Sequence, residues 1–131
     1  VKLLLDTHIL VWAMGEPARL GTSLELLLED PQHTLCFSLA SLWELVIKGA
    51  LGREGFQVQP SLLRRTLLDG GFLEIPITAD HVLAVGRLPP LHRDPFDRLL
   101  LAQAEREGLL LITADQAVAR YPGPVRHRDS F

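Results

Sequence analysis

Cysteine is nearly missing from this chain: Cys36 stands alone, so no intrachain disulfide can form. It lies in the apolar run Leu35-Cys36-Phe37, where a buried structural thiol is expected, and a chain without a disulfide framework suits a reducing compartment. Long apolar runs are missing too. No stretch approaches the ~20 residues of a membrane span, and the opening Leu3-Leu4-Leu5 is stopped by Asp6 without a signal-peptide cleavage pattern. A cytoplasmic protein with no membrane partner is expected. Nor is there an excess of positive charge: 13 Lys and Arg face 16 Asp and Glu, a formal net charge of −3. Nonspecific nucleic-acid binders are usually basic, because they neutralise phosphates. The total argues mildly against that class, although carboxylates gathered around a metal would be offset locally by the cation. Neither G-x-x-x-x-G-K-[ST] nor G-x-G-x-x-G occurs, which removes the nucleotide-cofactor readings. A G-x-S-x-G elbow is lacking, and the five histidines show no zinc-ligand spacing.

What remains is an ordinary globular balance, 47% hydrophobic and 22% charged over 131 residues, read as one domain spanning 1–131. Short apolar runs at Lys2 to Leu5, Thr34 to Ser38, Phe72 to Ile77 and Leu109 to Thr113 read as strands, with Val125 to His127 as an edge strand. Helical patterns fall between them. Ile9 to Met14 follows the first strand. A second helix capped by Thr22 or Ser23 runs to about Glu29. Leu39 to Leu51 carries Leu42, Leu45 and Val46 on one face. Ser61 caps a helix to about Asp69, and Thr78 starts one through Arg87. Asp94-Pro95-Phe96-Asp97 is a strong helix start, with Asp at N-cap, Pro at N1 and an acid at N3, and Gly108 ends that helix. Residues 55–60 read as a loop or short ribbon. Strands alternating with helices imply an α/β fold with a mainly parallel sheet.

The acids stand out by position. In open α/β sheets, sites form at the carboxyl ends of strands. Asp6 follows the first strand directly, and Asp115 follows the Leu109 to Thr113 strand by two residues. Glu44 lies about two turns into the helix after the second strand, and Asp97 lies in the first turn of the Asp94-Pro95 helix. If those helix starts converge on one sheet edge, the four carboxylates share a cleft. Together they would repel and raise one another's pKa, and a hard divalent cation with oxygen ligands relieves that repulsion. Each also has a plainer reading. Asp6, Asp94 and Asp115 suit N-caps, Asp97 suits the helix dipole, and Glu44 stands among apolar neighbours at a boundary.

The segments Leu3-Leu4-Leu5-Asp6-Thr7-His8, Ser38 to Lys48 with its Trp43-Glu44 pair, His92 to Ala104 with Asp94-Pro95-Phe96-Asp97, and Leu111-Ile112-Thr113-Ala114-Asp115 resemble the PIN domain family. More narrowly, they resemble the VapC-type toxins of type II toxin–antitoxin pairs. The resemblance runs in order along nearly the whole chain. It implies a three-layer α/β/α fold around a central, mainly parallel sheet, and endoribonuclease activity dependent on Mg²⁺ or Mn²⁺. Asp6, Glu44, Asp97 and Asp115 match the acidic quartet, Asp94 an auxiliary ligand, and Thr7, Ser41 and Thr113 small polar positions beside the site. RNA as substrate, a homodimer and a cognate antitoxin partner are implied as well. The family also holds non-toxin nucleases of RNA processing and decay, but the chain length and the Trp-Glu and Asp-Pro-Phe-Asp blocks favour the toxin branch. Residues 53–60 are less typical and are expected to tune substrate access.

Other residues carry open readings. Arg98 either contacts a phosphate or pairs with Asp94 at i, i+4 spacing. Lys48 is an ion-pair partner of Glu44 or a substrate contact. Arg64, Arg65, Arg93, Arg126 and Arg128 form a basic patch for RNA or are ordinary solvated charges. His8 as a general base is the weaker idea, since a metal-activated water needs no histidine. Trp12, Trp43 and Phe96 stack on bases or pack in the core or a dimer interface formed partly by the first helices. Two rivals start from the same residues. An aspartyl phosphatase wants Asp-x-Asp after the first strand, where His8 stands instead. A receiver-like or purely interacting α/β domain wants acids paired near the first strand.

Overall fold

Lys2–Leu5 (β1) is a run of leucines without polar alternation, the pattern of a strand covered on both faces. The structure, a computed structural model, describes residues 1–53 and 57–130 and places β1 at the centre of the sheet. On one side β1 pairs with Thr34–Ser38 (β2), Leu3 opposite Leu35, and on the other with Leu110–Thr113 (β4), Leu3 opposite Leu110. Leu73–Ile75 (β3) extends the sheet beyond β2, and Val125–His127 (β5) extends it beyond β4. The order is β3-β2-β1-β4-β5, and the four pairings are all parallel.

The leucines of β1 divide between two cores. Leu3 and Leu5, with Phe37 and Ile112, face Thr7–Gly15 (α1), Thr22–Glu29 (α2), Leu39–Ala50 (α3) and Pro60–Asp69 (α4) through Ile9, Leu10, Leu24, Leu45, Leu63 and Leu67. Leu4, with Cys36, Leu111 and Val125, faces Pro95–Glu107 (α6) and Gln116–Ala119 (α7) through Leu99, Leu100, Ala104 and Val118. Ala79–Val85 (α5) packs on α6. These are the three α/β/α layers that the resemblance implied. No helix among the described residues is long and apolar enough to cross a membrane.

Local chemistry sets the boundaries. Asp6 caps α1 through a bond from the Ile9 amide, so that helix starts at Thr7 rather than Ile9. Asp94 caps α6 with Pro95 at N1, and Gly108 ends it at φ +68°, where other residues are strained. Two expected caps are corrected. Gly21, at φ +81°, occupies the N-cap of α2, so neither Thr22 nor Ser23 caps it. At α4, Gln59 holds the N-cap and Pro60 comes first, so Ser61 lies inside the helix. β3 is shorter than the expected 72–77, because Pro76 has no N–H to extend the ladder. The loop expected at residues 55–60 lies partly outside the described residues.

Candidate active site

β2 and β3 lie to one side of β1, and β4 and β5 lie to the other, so the chain reverses its direction of travel across the sheet between β1 and β4. A crevice opens at the carboxyl edge of such a switch point, and Asp6 and Asp115 follow the two strands that border it.

Asp6 is nearly fully buried. Its Oδ1 accepts the Ile9 amide at 2.9 Å, while Oδ2 accepts from the Thr113 hydroxyl at 2.7 Å and the Ala114 amide at 2.8 Å. Thr113 thereby orients Asp6, and its oxygen also accepts the Asp115 amide at 3.0 Å. Asp115 caps α7 with Oδ1, which accepts from the Ala117 and Val118 amides. Asp94 likewise caps α6 with Oδ1. Asp94 and Asp115 thus spend one oxygen on a helix start and turn the other towards a side chain of the cleft: Asp94 Oδ2 meets Lys48, and Asp115 Oδ2 lies 4.0 Å from His92. Capping and site duty are therefore compatible. The positive ends of α1, α6 and α7 also favour carboxylates here.

Glu44 comes from α3 and is 2% exposed. Thr7, the first residue of α1, donates to its Oε1 at 2.5 Å and lies 2.9 Å from the buried Ser41 hydroxyl. On the other oxygen, Oε2, the Lys48 ammonium sits at 2.5 Å, and the same ammonium reaches Asp94 Oδ2 at 2.7 Å. Burial works against the Lys48 charge, but its hydrogen bonds to Asp94 and Glu44 prevail and raise its pKa above the ordinary value. The converse holds for Asp94: burial would raise its pKa, and the Lys48 bond and charge, with the Asp97 and Phe96 amides, hold it below the usual range.

Asp97 is the focus. Its carboxyl is pushed up to about 7, first by burial, then by the charge of Asp94 and further by Glu44 and Asp6, with the bond from His92 opposing. The charges of Asp94, Glu44 and Asp6 thus all act on Asp97. Asp115 joins through His92, whose Nε2 lies 2.9 Å from Asp97 Oδ2. A half-buried carboxyl crowded by other carboxylates, beside further hard oxygen donors, is the environment a divalent cation fits. His92, Asp97 and Asp115 each offer one donor atom within 4.8 Å of the others.

Arg98 stands apart from this cleft. Its guanidinium donates to the carbonyls of Val85, Leu88, Pro89 and His92 and to the Tyr121 hydroxyl, not to Asp94. It fastens the loop before α6. The sequence reading assigned no role to His92 or Tyr121. His92 opens the His92 to Ala104 block, which is its one local signal, whereas Tyr121 stands far along the chain with none.

The flanks of the cleft carry cations and aromatics. On one side His8, Trp12, Arg19, Ala114 and Asp115 line a hollow of about 260 Å³, with Arg19 and Arg128 stacked over Trp12 at 4.5 and 5.1 Å. On the other, Lys48, Arg53, Arg93 and Phe96 are among the residues around a hollow of about 320 Å³, and Trp43 meets Phe96 edge to face at 4.9 Å. Arg64 is instead paired with Glu74, away from the cleft.

Fold and site together define an α/β/α domain with a carboxylate-lined cleft at the switch point of a parallel sheet. The chain belongs to the PIN domain family, whose pattern it matches over residues 3–124. No curated protein sequence matches significantly. Among solved structures, it is similar to VapBC2 of Rickettsia felis bound to a promoter DNA fragment, at 20% identity and a TM-score of 0.71 over 97% of this chain and 98% of that one. It is also similar to a toxin–antitoxin complex from Klebsiella pneumoniae, at 25% identity and 0.61 over 96% and 97%. VapC20 of Mycobacterium tuberculosis, a toxin that cleaves the sarcin–ricin loop, gives 17% identity and 0.61 over 89% and 92%.

Proposed function

We propose that this chain is a VapC-like endoribonuclease that hydrolyses RNA phosphodiester bonds with Mg²⁺ or Mn²⁺. The observation that supports this reading most is the gathering of carboxylates at one sheet edge: Lys48 bridges Glu44 and Asp94, His92 lies 2.9 Å from Asp97 and 4.0 Å from Asp115, and Asp6 accepts from Thr113, two positions before Asp115. Asp6, Glu44, Asp97 and Asp115 hold the ion, and Asp94 supports them through Lys48. When bound, a divalent ion polarises the phosphodiester and lowers the pKa of water. The protein's own contribution is orientation. Thr113 and the Ala114 amide fix Asp6, while Thr7, beside Ser41, and Lys48 fix Glu44, so that their oxygens keep their positions through the reaction. Arg19 and Trp12 on one flank, and Arg53 and Arg93 on the other, suit a phosphate backbone with a stacked base.

The toxin reading is supported by the solved relatives, which include toxin–antitoxin complexes. Val46 and Ile47 are exposed on α3 and Leu51 just beyond it, and a groove of about 370 Å³ between α3 and residues 57–60 adjoins Val46. That is an apolar surface for a cognate antitoxin, and we read the protein as a homodimer that such a partner silences.

Attack by water leaves a linear phosphate and does not need the ribose 2′-hydroxyl. A substrate carrying a single 2′-deoxy sugar at the mapped cut site should therefore still be cleaved, and Glu44→Gln should cut neither version. A 2′,3′-cyclic phosphate product, or loss of cleavage on 2′-deoxy substitution, would contradict the mechanism.

A further inference from the structure

We infer that His92 is itself a metal ligand, completing a mixed nitrogen and oxygen set with Asp97 and Asp115 that favours Mn²⁺ over Mg²⁺. This deepens the metal-nuclease reading and rests on it only in taking the cleft to hold a divalent ion.

The two halves of the cleft differ in what they have left to offer. Glu44 Oε2 and Asp94 Oδ2 are both held by the Lys48 ammonium, at 2.5 and 2.7 Å, and Glu44 Oε1 accepts from Thr7, so Glu44 reaches an ion only by sharing an oxygen. In the other half, Asp97 turns Oδ2 to His92, and Asp115 keeps Oδ2 clear of its capping duty. His92 stands between them. An octahedral ion with bonds of about 2.1 Å sets neighbouring donors about 3 Å apart and opposite donors about 4.2 Å apart. His92 Nε2 is 2.9 Å from Asp97 Oδ2 and 4.0 Å from Asp115 Oδ2, spacings that such an ion accepts with little movement.

The imidazole is also pre-positioned, although it sits on a loop. The His92 amide donates to the Tyr121 hydroxyl at 2.7 Å, and its carbonyl accepts from the same hydroxyl at 3.3 Å and from Arg98 at 3.5 Å. Tyr121 is 3% exposed, and Arg98 is tied to three further carbonyls, so the loop backbone is clamped from both sides. With the backbone fixed in this way, Nε2 is held towards Asp97 and Asp115. Imidazole binds first-row transition ions well, whereas Mg²⁺ keeps to oxygen and water. Ligation requires Nε2 to bear the lone pair and Nδ1 the hydrogen.

The test is metal binding to the full chain without RNA. MnCl₂ and MgCl₂ are titrated by calorimetry into wild type, His92→Gln and Asp97→Asn, and the Mn²⁺-loaded wild type is examined for ¹⁴N coupling by pulsed electron paramagnetic resonance. Glutamine keeps a hydrogen-bonding group near Asp97 but is a poor ligand. His92→Gln should weaken Mn²⁺ by about ten-fold or more and Mg²⁺ by less than about three-fold, and the wild type should show an imidazole nitrogen coupled to Mn²⁺. The spectrum needs no variant, so a folding defect in His92→Gln leaves it decisive. Mn²⁺ bound without nitrogen coupling would overturn the role of His92 and leave the nuclease reading standing. A wild type that binds neither ion would overturn both.

Discussion

Three aspartates of this site do two jobs. Asp6, Asp94 and Asp115 each give one oxygen to a helix N-terminus and the other to groups around the cleft. This explains why the capping reading and the site reading were hard to separate in the sequence: both describe the same side chains. Asp97 has no such duty. It sits at N3 of α6, and its raised pKa gives a prediction whose sign follows from linkage. The unfolded carboxyl titrates near about 4, and the folded one near 7. Through that window the folded state holds more protons, so the metal-free protein loses stability as pH rises from about 4 to about 7. In EDTA, urea unfolding of wild type should show a loss of about 2–3 kcal/mol between pH 5 and 7.5 that Asp97→Asn lacks. Parallel pH profiles for the two proteins would show that Asp97 is not the strained carboxyl. Lys48 was visible as a neighbour of Glu44 at i, i+4, but its bridge to Asp94, 46 positions further on, is a tertiary fact that no local spacing contains.

At the level of elements, the loop between α5 and α6 is the least regular part of the site and carries His92. It is held by Arg98, a side chain read from sequence as a phosphate contact or a partner of Asp94. The fork geometry of guanidinium suits several carbonyls at once, and those carbonyls come together only when the chain folds back from Val85 to His92. Arg98→Ala would leave them and the Tyr121 hydroxyl short of a charged donor. Thermal unfolding should show a loss of about 2–3 kcal/mol, and Arg98→Lys should recover only part of it, because an ammonium cannot span the same fork. Full recovery by lysine would mean that charge alone matters. Helix α6 was legible almost residue for residue, because Asp94, Pro95 and Gly108 are each the preferred residue at their own position. The starts of α2 and α4 were not. Gly21 and Gln59 make no side-chain cap there, and the neighbouring Thr22 and Ser61 drew the reading inwards by one or two positions.

Over the whole molecule, unbroken apolar strands with helices between them were enough to give a parallel sheet covered on both faces. Strand order was not legible, since it depends on which way each crossover turns. Yet the order places the site: because β4 returns beside β1, Asp6 and Asp115 follow neighbouring strands on the edge that all the parallel strands share. The resemblance implied the three-layer fold around a mainly parallel sheet but not the strand order. The sheet centre also governs Cys36, fully buried on β2, where burial pushes the thiol above its ordinary pKa against a small opposing effect of Lys2. A thiol reagent at pH 8 should therefore label it only at the rate of unfolding, and rapid labelling of the native protein would show that the sheet opens locally. The most direct measurement of the central claim is cleavage of total cellular RNA by wild type and Asp97→Asn, each with Mn²⁺, Mg²⁺ or EDTA. Discrete products that require a divalent ion and vanish in Asp97→Asn are expected. Cleavage that survives both EDTA and the substitution would contradict the assignment of this cleft.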